Sequence, residues 1–435
     1  MSEHSLLAGH LSSEGRLMIH VYCGPTLGPD DPVLADLAVR WLPPARHGDF
    51  FDPAIADTDT VVLVDGVYHQ APAVRHKELL ALLARGVRVI GAASIGALRA
   101  AELHQFGVEG VGAVFELYRS GRLTADDEVA VGQDPVDGRA LTWPLVNLRH
   151  VLGLASAAGV LPPGPRPVDR LLDELRGVYY AQRTPAAVRA VCRRAGAGPF
   201  VEWLDERRAA DPRFGDVKYS DAVAAVRIAL EGGDRGEDAV PAVWDTGYFR
   251  RWRGHFATQV VDGVAMPTGL RVVYQQVFDP GFAAVWRVYL ERRSLFPADG
   301  GARMPLRQRT RDLTGTADGR LLHAVVRVDP DRCDGSALNV LLARESVADR
   351  TAVVRYAAAI ERARQAVPGF TVEGVRDDIA MRMLTEVWRC DGAGLGEQAR
   401  LRGLQSAGRA VEQAKVLVAG FMEDQRRMEG GLVRG

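Results

Sequence analysis

The sequence predicts an α/β protein: a parallel sheet with flanking helices in the N-terminal half, followed by a mainly helical C-terminal domain. Three observations carry this reading. Apolar, strand-like runs alternate with helical patterns between residues 17 and 103. Such runs, rich in Val, Leu and Ile, suit strands buried on both faces. Alternation of this kind marks right-handed βαβ units. Beyond residue 242 several segments carry the apolar period of amphipathic helices instead.

Taken in order, the first strand is expected at Leu17 to Tyr22, ending in the Gly- and Pro-rich CGPTLGPDDP. A helix is expected from Pro32 to Arg40, then a second strand, TVVLVDG, from Thr60 to Gly66. The next helix is expected from about Pro72 to Arg85, with Pro72 in its first turn and Gly86 just past its end. A third strand, VRVIGAA, covers Val87 to Ala93, and a helix opens at Ile95. Val108 to Gly121 reads as a helix followed by the acidic loop TADDEVAVG, and 142–230 as mainly helical, with a Pro-rich connector at 160–167. EGGDRGEDAVP, at 231–241, offers little to bury and reads as a linker. The domain plan is therefore a flexible 1–17, an α/β core at 18–230, the linker, and a helical domain at 242–435. In the last, helices are expected at Val347 to Gln365, Asp377 to Val387 and Gln398 to Glu429.

At 435 residues the chain exceeds what one packed core usually sustains. A formal net charge of -1 supplies no global field to recruit nucleic acid or an acidic membrane. No apolar run reaches membrane-spanning length, and Met1 to Arg16 lacks the long apolar core of a signal peptide. The cysteines Cys23, Cys192, Cys333 and Cys390 are scattered, with no CxxC pair and no zinc-like spacing. A reducing cytoplasm follows as the simplest setting. No metal site and no cofactor are called for.

The chemistry concentrates at strand ends. In VRVIGAASIGALRAAEL, Ser94 stands at a strand-to-helix turn between small residues, Ala92 and Gly96. Such a turn lifts a hydroxyl onto the carboxyl edge of the sheet, beside the free N–H groups of a helix start. That is the physics of a nucleophile elbow, although Ala92 breaks the G-x-S-x-G pattern. The plain alternative is a serine N-cap. Asp65 ends the second strand, and His76 and Lys77 follow at the next helix. His76 is suited to shuttling protons near neutrality, and Lys77 to acting as a base in a desolvated setting. The plain alternatives are a surface histidine and a solvated lysine. In YCGPTL, Thr26 and the Gly24 backbone could contact substrate. Cys23 could accept sulfur, or be a buried strand thiol. The acids Asp126, Asp127 and Glu128 read as a solvated loop. Arg99 and Glu102, three apart on a helix, read as a carboxylate clamp or as a surface ion pair. The aromatic and basic WDTGYFRRWRGHF could anchor a partner or pack into a core.

Four strings together resemble the TfuA-like core: CGPTL at Cys23 to Leu27, VDGVYHQAPAVRHKELLALLARGV at Val64 to Val87, GAASIGALRAAEL at Gly91 to Leu103, and GVGAVFELYRSGRLTADDEVAV at Gly110 to Val131. Weaker echoes are VNLR at Val146 to Arg149 and KYSDA at Lys218 to Ala222. The resemblance spans roughly 18–230. It departs at Ile95, where the family commonly has Met, and at Gln133, where a His often stands.

The resemblance implies an accessory role beside a YcaO enzyme in peptide backbone thioamidation. The sulfur source implied is a ubiquitin-like carrier ending in a thiocarboxylate, opened by a hydrolase activity, with the precursor peptide as a further partner. In that chemistry Ser94 would be the nucleophile, Lys77 or His76 the proton shuttle and Asp65 its orienting group. Gly24, Thr26, Gly66, Gly96, Arg99 and Glu102 would contact substrate. Two alternatives stand beside it: a non-catalytic adaptor that recruits the carrier or peptide and stimulates YcaO, and an unrelated serine hydrolase.

Overall fold

The computed structural model describes residues 17–29, 31–33, 39–68, 72–134, 138–162, 165–232, 246–261, 264–297, 301–316, 328–332, 334–367 and 370–432. The chain divides into two compact units, Met1–Phe50 with Ala54–Val243, and Phe51–Pro53 with Trp244–Gly435. The N-terminal segment through residue 16, and the expected linker from residue 233 onward, lie outside the described residues.

The first unit is built on a five-stranded, wholly parallel sheet: β1 (Ile19–Tyr22), β2 (Arg40–Leu42), β3 (Thr60–Leu63), β4 (Arg88–Ala92) and β5 (Glu109–Val111), in the order β2-β1-β3-β4-β5. Side chains alternate between faces along a strand. Val61, Leu63 and Val89 accordingly join one core with α1 (His76–Ala84), α2 (Ile95–Leu103) and α3 (Ala113–Arg119). Val62, Val64 and Ile90 join a second core under Ala222, Ala225 and Val226. Those three belong to the last helix of the unit. Between the sheet and that helix come α4 (Leu145–Ala157), α5 (Pro165–Arg176), α6 (Pro185–Arg194) and α7 (Gly198–Ala210), which bury their own cluster around Leu152, Leu172 and Phe200. The chain then returns as α8 (Val217–Glu231) to cover the sheet's second face.

This order has a consequence for ligands. From β1 the chain runs to β2 on one side, and from β3 to β4 on the other. The carboxyl ends of β1 and β3 therefore border a topological switch point, where open α/β sheets bind ligands.

Several elements differ from the sequence reading. Of the helix expected at Pro32 to Arg40, residues 34–38 lie outside the described residues, and Arg40 opens β2 by pairing with His20. The helix expected from Pro72 begins at His76, because the Glu78 carboxylate accepts the Arg75 N–H and closes a cap there. The helix expected from Val108 divides into β5 and α3. The break is Gly112, at φ +95, against which the Asp221 carboxylate packs to accept the Ala113 and Val114 N–H groups at 2.9 and 2.8 Å.

The second unit is mainly helical. A β6–β7 hairpin (Thr258–Val261, Val264–Pro267) joins α9 (Gly247–Phe256) to α10 (Thr268–Phe278), α11 (Phe282–Leu295), α12 (Leu306–Thr314), α13 (Gly335–Leu341), α14 (Val347–Ala366), α15 (Asp377–Trp388), α16 (Leu395–Leu401) and α17 (Ala407–Leu432). One core gathers Leu270, Val353, Leu384 and Leu417; another gathers Phe282, Trp286 and Tyr289. The single helix expected at Gln398 to Glu429 is broken between α16 and α17, where Gly403 and Gln405 take φ +75 and +61. Among the described residues no helix is long and apolar enough to cross a membrane.

Candidate functional site

The turn after β4 sets the site. Ala93 sits at φ +65, a left-handed conformation that costs a non-glycine residue about 1–2 kcal/mol. The Ser94 N–H donates back to the Ala92 carbonyl at 2.7 Å, and α2 begins at the next residue. The helix start is seated directly on β3. The Gly96 N–H donates to the Val64 carbonyl at 3.2 Å, and a Cβ at Gly96 would stand 1.8 Å from the Leu63 carbonyl oxygen. Only glycine permits that approach. Ser94 is 8% exposed; it occupies the N-cap position of α2, but its side chain makes no cap hydrogen bond. Among the described residues the Ile95 N–H also donates to no acceptor. Strain of this kind tends to persist where function demands it.

Asp65, just beyond β3, holds the loop after β1. Its carboxylate accepts the Gly24 and Thr26 N–H groups at 3.0 Å each and the Thr26 hydroxyl at 2.8 Å. Lys218, at the start of α8, places Nζ 3.9 Å from Asp65 Oδ1 and donates to the Val129 carbonyl at 2.8 Å. Both side chains of this pair are almost wholly buried. Burial pushes the Lys218 amine below the ordinary lysine range, with Asp65 opposing the shift. Burial, reinforced by the nearby Asp65 charge, pushes the Cys23 thiol up. A neutral, buried thiol fits a strand cysteine better than a sulfur acceptor.

Beside these groups lies a cavity of about 280 Å³. Pro25 from the loop after β1, Asp65 and Gly66 from that after β3, and Ser94 and Ile95 from that after β4 line one side. Tyr68, Asp126, Gln133 and Tyr180 contribute from elsewhere. The Tyr68 and Tyr180 rings meet edge to face at 5.3 Å. Burial and neighbouring Asp126 push the Tyr68 hydroxyl up to about 12. The rest of the acidic run is not a solvated loop. Asp127 pairs with Arg183 at 2.7 Å, and buried Glu128 with Arg149 and Arg176 at 2.8 and 3.2 Å.

The sequence-derived residues thus fall into two groups. Asp65, Gly66 and Ser94 line the cavity; Gly24 and Thr26 are tied to Asp65, and Gly96 seats the helix. His76, Arg99 and Glu102 gather separately: Glu102 Oε2 lies 2.8 Å from His76 Nε2 and 2.5 Å from Arg99 Nη1. Burial opposes ionisation of Glu102, but His76 and Arg99 hold its carboxyl below the usual range. Lys77 is half-buried on α1. None of these four lines the cavity. Sequence reasoning passed over Lys218, Tyr68 and Tyr180; for Lys218 the one signal was the KYSDA string.

A protein-family model described as TfuA-like protein matches residues 65–184, within the N-terminal half and across the cavity's Asp65, Ser94 and Tyr180. The match supports a thioamidation-associated accessory role in general terms, in a family associated with YcaO partners. No curated protein matches the chain.

Proposed function

We propose that the first unit serves backbone thioamidation beside a YcaO enzyme by opening a thiocarboxylated, ubiquitin-like carrier at Ser94. The observation that carries this reading is the pairing, on one cavity wall, of a serine hydroxyl unspent on capping with an unbonded N–H at the following residue. A hydroxyl and an adjacent N–H at a helix start are the parts acyl transfer needs. The Ser94 oxygen bonds to the carrier's terminal carbon, the Ile95 N–H stabilises the developing oxyanion, and the carbon–sulfur bond breaks. Sulfur leaves with the serine proton as hydrosulfide. Water then hydrolyses the acyl-serine, returning the hydroxyl and a carrier carboxylate. Asp65 acts as a positioning residue, because it holds Gly24 to Thr26 at the cavity's edge.

An adaptor reading is favoured by one fact: among the described residues lining the cavity none is a Lys, Arg or His that could shuttle protons. As an adaptor, the unit would hold the carrier tail and leave sulfur release to the complex.

The deciding measurement is sulfide release from thiocarboxylated carrier by the purified full chain, with and without YcaO. Catalysis predicts multiple turnovers by the chain alone and a loss of at least about a hundredfold in Ser94→Ala, as when a nucleophile is removed. Full activity in Ser94→Ala would remove the nucleophile assignment. No release without YcaO, but stimulated thioamidation with it, would select the adaptor.

A further inference from the structure

A second cavity of the first unit, about 420 Å³, shares no lining residue with the one beside Ser94. Two helices wall it. From α3 come Ala113, Glu116 and Leu117, spaced i, i+3, i+4. From α4 come Val146, Arg149, His150, Gly153 and Leu154, spaced i, i+3, i+4, i+7, i+8. Residues so spaced share one face of a helix. Arg122, just past α3, and Val217, at the start of α8, complete the lining. The α4 face runs about 12 Å from Val146 to Leu154 at 1.5 Å per residue, or about two turns. Gly153 stands on this face in the body of α4, although glycine is the poorest helix former after proline. Apart from its own helix, nothing among the described residues lies within 4 Å of where its Cβ would stand, so no contact inside the chain requires a glycine there. A bare backbone on an open helical face lets another chain approach closely.

The rim sets the charge of what docks. Of the ionisable residues lining the groove, Glu116 is answered by Arg119 at 2.6 Å and Arg149 by Glu128 at 2.8 Å. Arg122 and His150 are exposed and have no ion-pair or hydrogen-bond partner among the described residues. The groove is thus apolar along Leu117, Val146, Leu154 and Val217 and basic at its edge. Its ionisable side chains are all at least partly exposed, whereas small-molecule sites converge fixed polar groups inside. We propose that this groove in the first unit docks an amphipathic helix of a partner protein, with the apolar stripe of that helix between α3 and α4 and its acidic flank against Arg122 and His150. A helix laid in a groove is held by anchors at i, i+3 or i+4 and i+7, the same period that α3 and α4 present to it. Opposite charges at the rim steer its approach and fix its register. Nothing here depends on the reaction at Ser94.

The test uses the full chain and three fluorescein-labelled, hydrocarbon-stapled helices of designed sequence, read by fluorescence anisotropy. One carries a Leu stripe flanked by Glu, one the same stripe flanked by Lys, and one the composition of the first with its Leu residues dispersed around the helix. The Glu-flanked helix is expected to bind about tenfold more tightly than either control. Gly153→Leu, whose side chain has room in the unbound chain, is expected to leave the melting temperature unchanged or raised and to weaken that binding by about tenfold or more. Arg122→Glu, at an exposed side chain with no partner to lose, is expected to remove the preference for Glu over Lys. A Glu-flanked helix that binds no better than either control, no binding of it at millimolar concentration, affinity unchanged in Gly153→Leu, or a charge preference unchanged in Arg122→Glu would overturn the proposal. So would a dimer in sedimentation velocity that Gly153→Leu dissociates, because a second copy of the chain would then fill the groove.

Discussion

Replacing Asp65 by Asn and Lys218 by Met, singly and together, measures the buried pair on which the edge of the Ser94 cavity rests. At 3.9 Å and an effective dielectric of about 20, the attraction is about 4 kcal/mol. Burying both charges offsets much of it, so the two single variants should differ sharply. Lys218→Met removes a cation and its desolvation penalty, and leaves Asp65 still held by Gly24 and Thr26. A loss of about 1–2 kcal/mol is expected, mostly from the stranded Val129 carbonyl. Asp65→Asn strands the ammonium and faces an amide NH₂ toward backbone donors, at about 3–5 kcal/mol. The double variant should fall short of the sum of the singles by about 2–4 kcal/mol. Urea unfolding of the full chain supplies the energies, and hydrogen exchange at β1 and β3 amides locates them in the first unit. Stability should also rise with pH toward the ordinary lysine range. The folded amine is pushed down, so the unfolded chain binds more protons there, and Lys218→Met should abolish that slope. Additivity of the two substitutions within about 0.5 kcal/mol would refute the coupling.

Gly96→Ala should destabilise the first unit by about 3 kcal/mol or more, since the methyl would meet the Leu63 carbonyl at 1.8 Å and neither backbone can retreat; thermal unfolding reads the shift. Burial pushes buried Glu78 up to about 7 despite the Arg75 and Gly48 N–H groups that favour its charge. A carboxyl raised this way adds stability that is fully present below about pH 4.5 and lost as pH rises through 7, on the order of 3 kcal/mol in all. Urea melts between pH 4 and 8 should show that loss, and Glu78→Gln should flatten it.

How much of this could be read in advance depended on where the signal lay. β1, β3 and β4 announce themselves because strands in the middle of a parallel sheet are buried on both faces and become continuous Val/Leu/Ile runs. The turn at Ser94 was equally plain: a small-residue pair between such a run and a helix leaves the chain few options. β2 and β5 are three residues each, with no apolar run of their own, and are strands only because β1 and β4 offer them backbone partners. The break between α16 and α17 went unseen because the apolar period continues across it, while Gly403 turns the backbone.

Local sequence thus determined β1, β3 and β4, the helix start and the chemical character of Ser94 and Asp65, since these follow from burial period and turn sterics within a dozen residues. Tertiary structure decided which groups share a space. It sent His76 to Glu102 across 26 positions. It brought Lys218 to Asp65, because α8 must return over the sheet to cover a face that no nearer helix covers. Proximity between residues so far apart in the chain is set by packing of the whole sheet, and no local pattern encodes it.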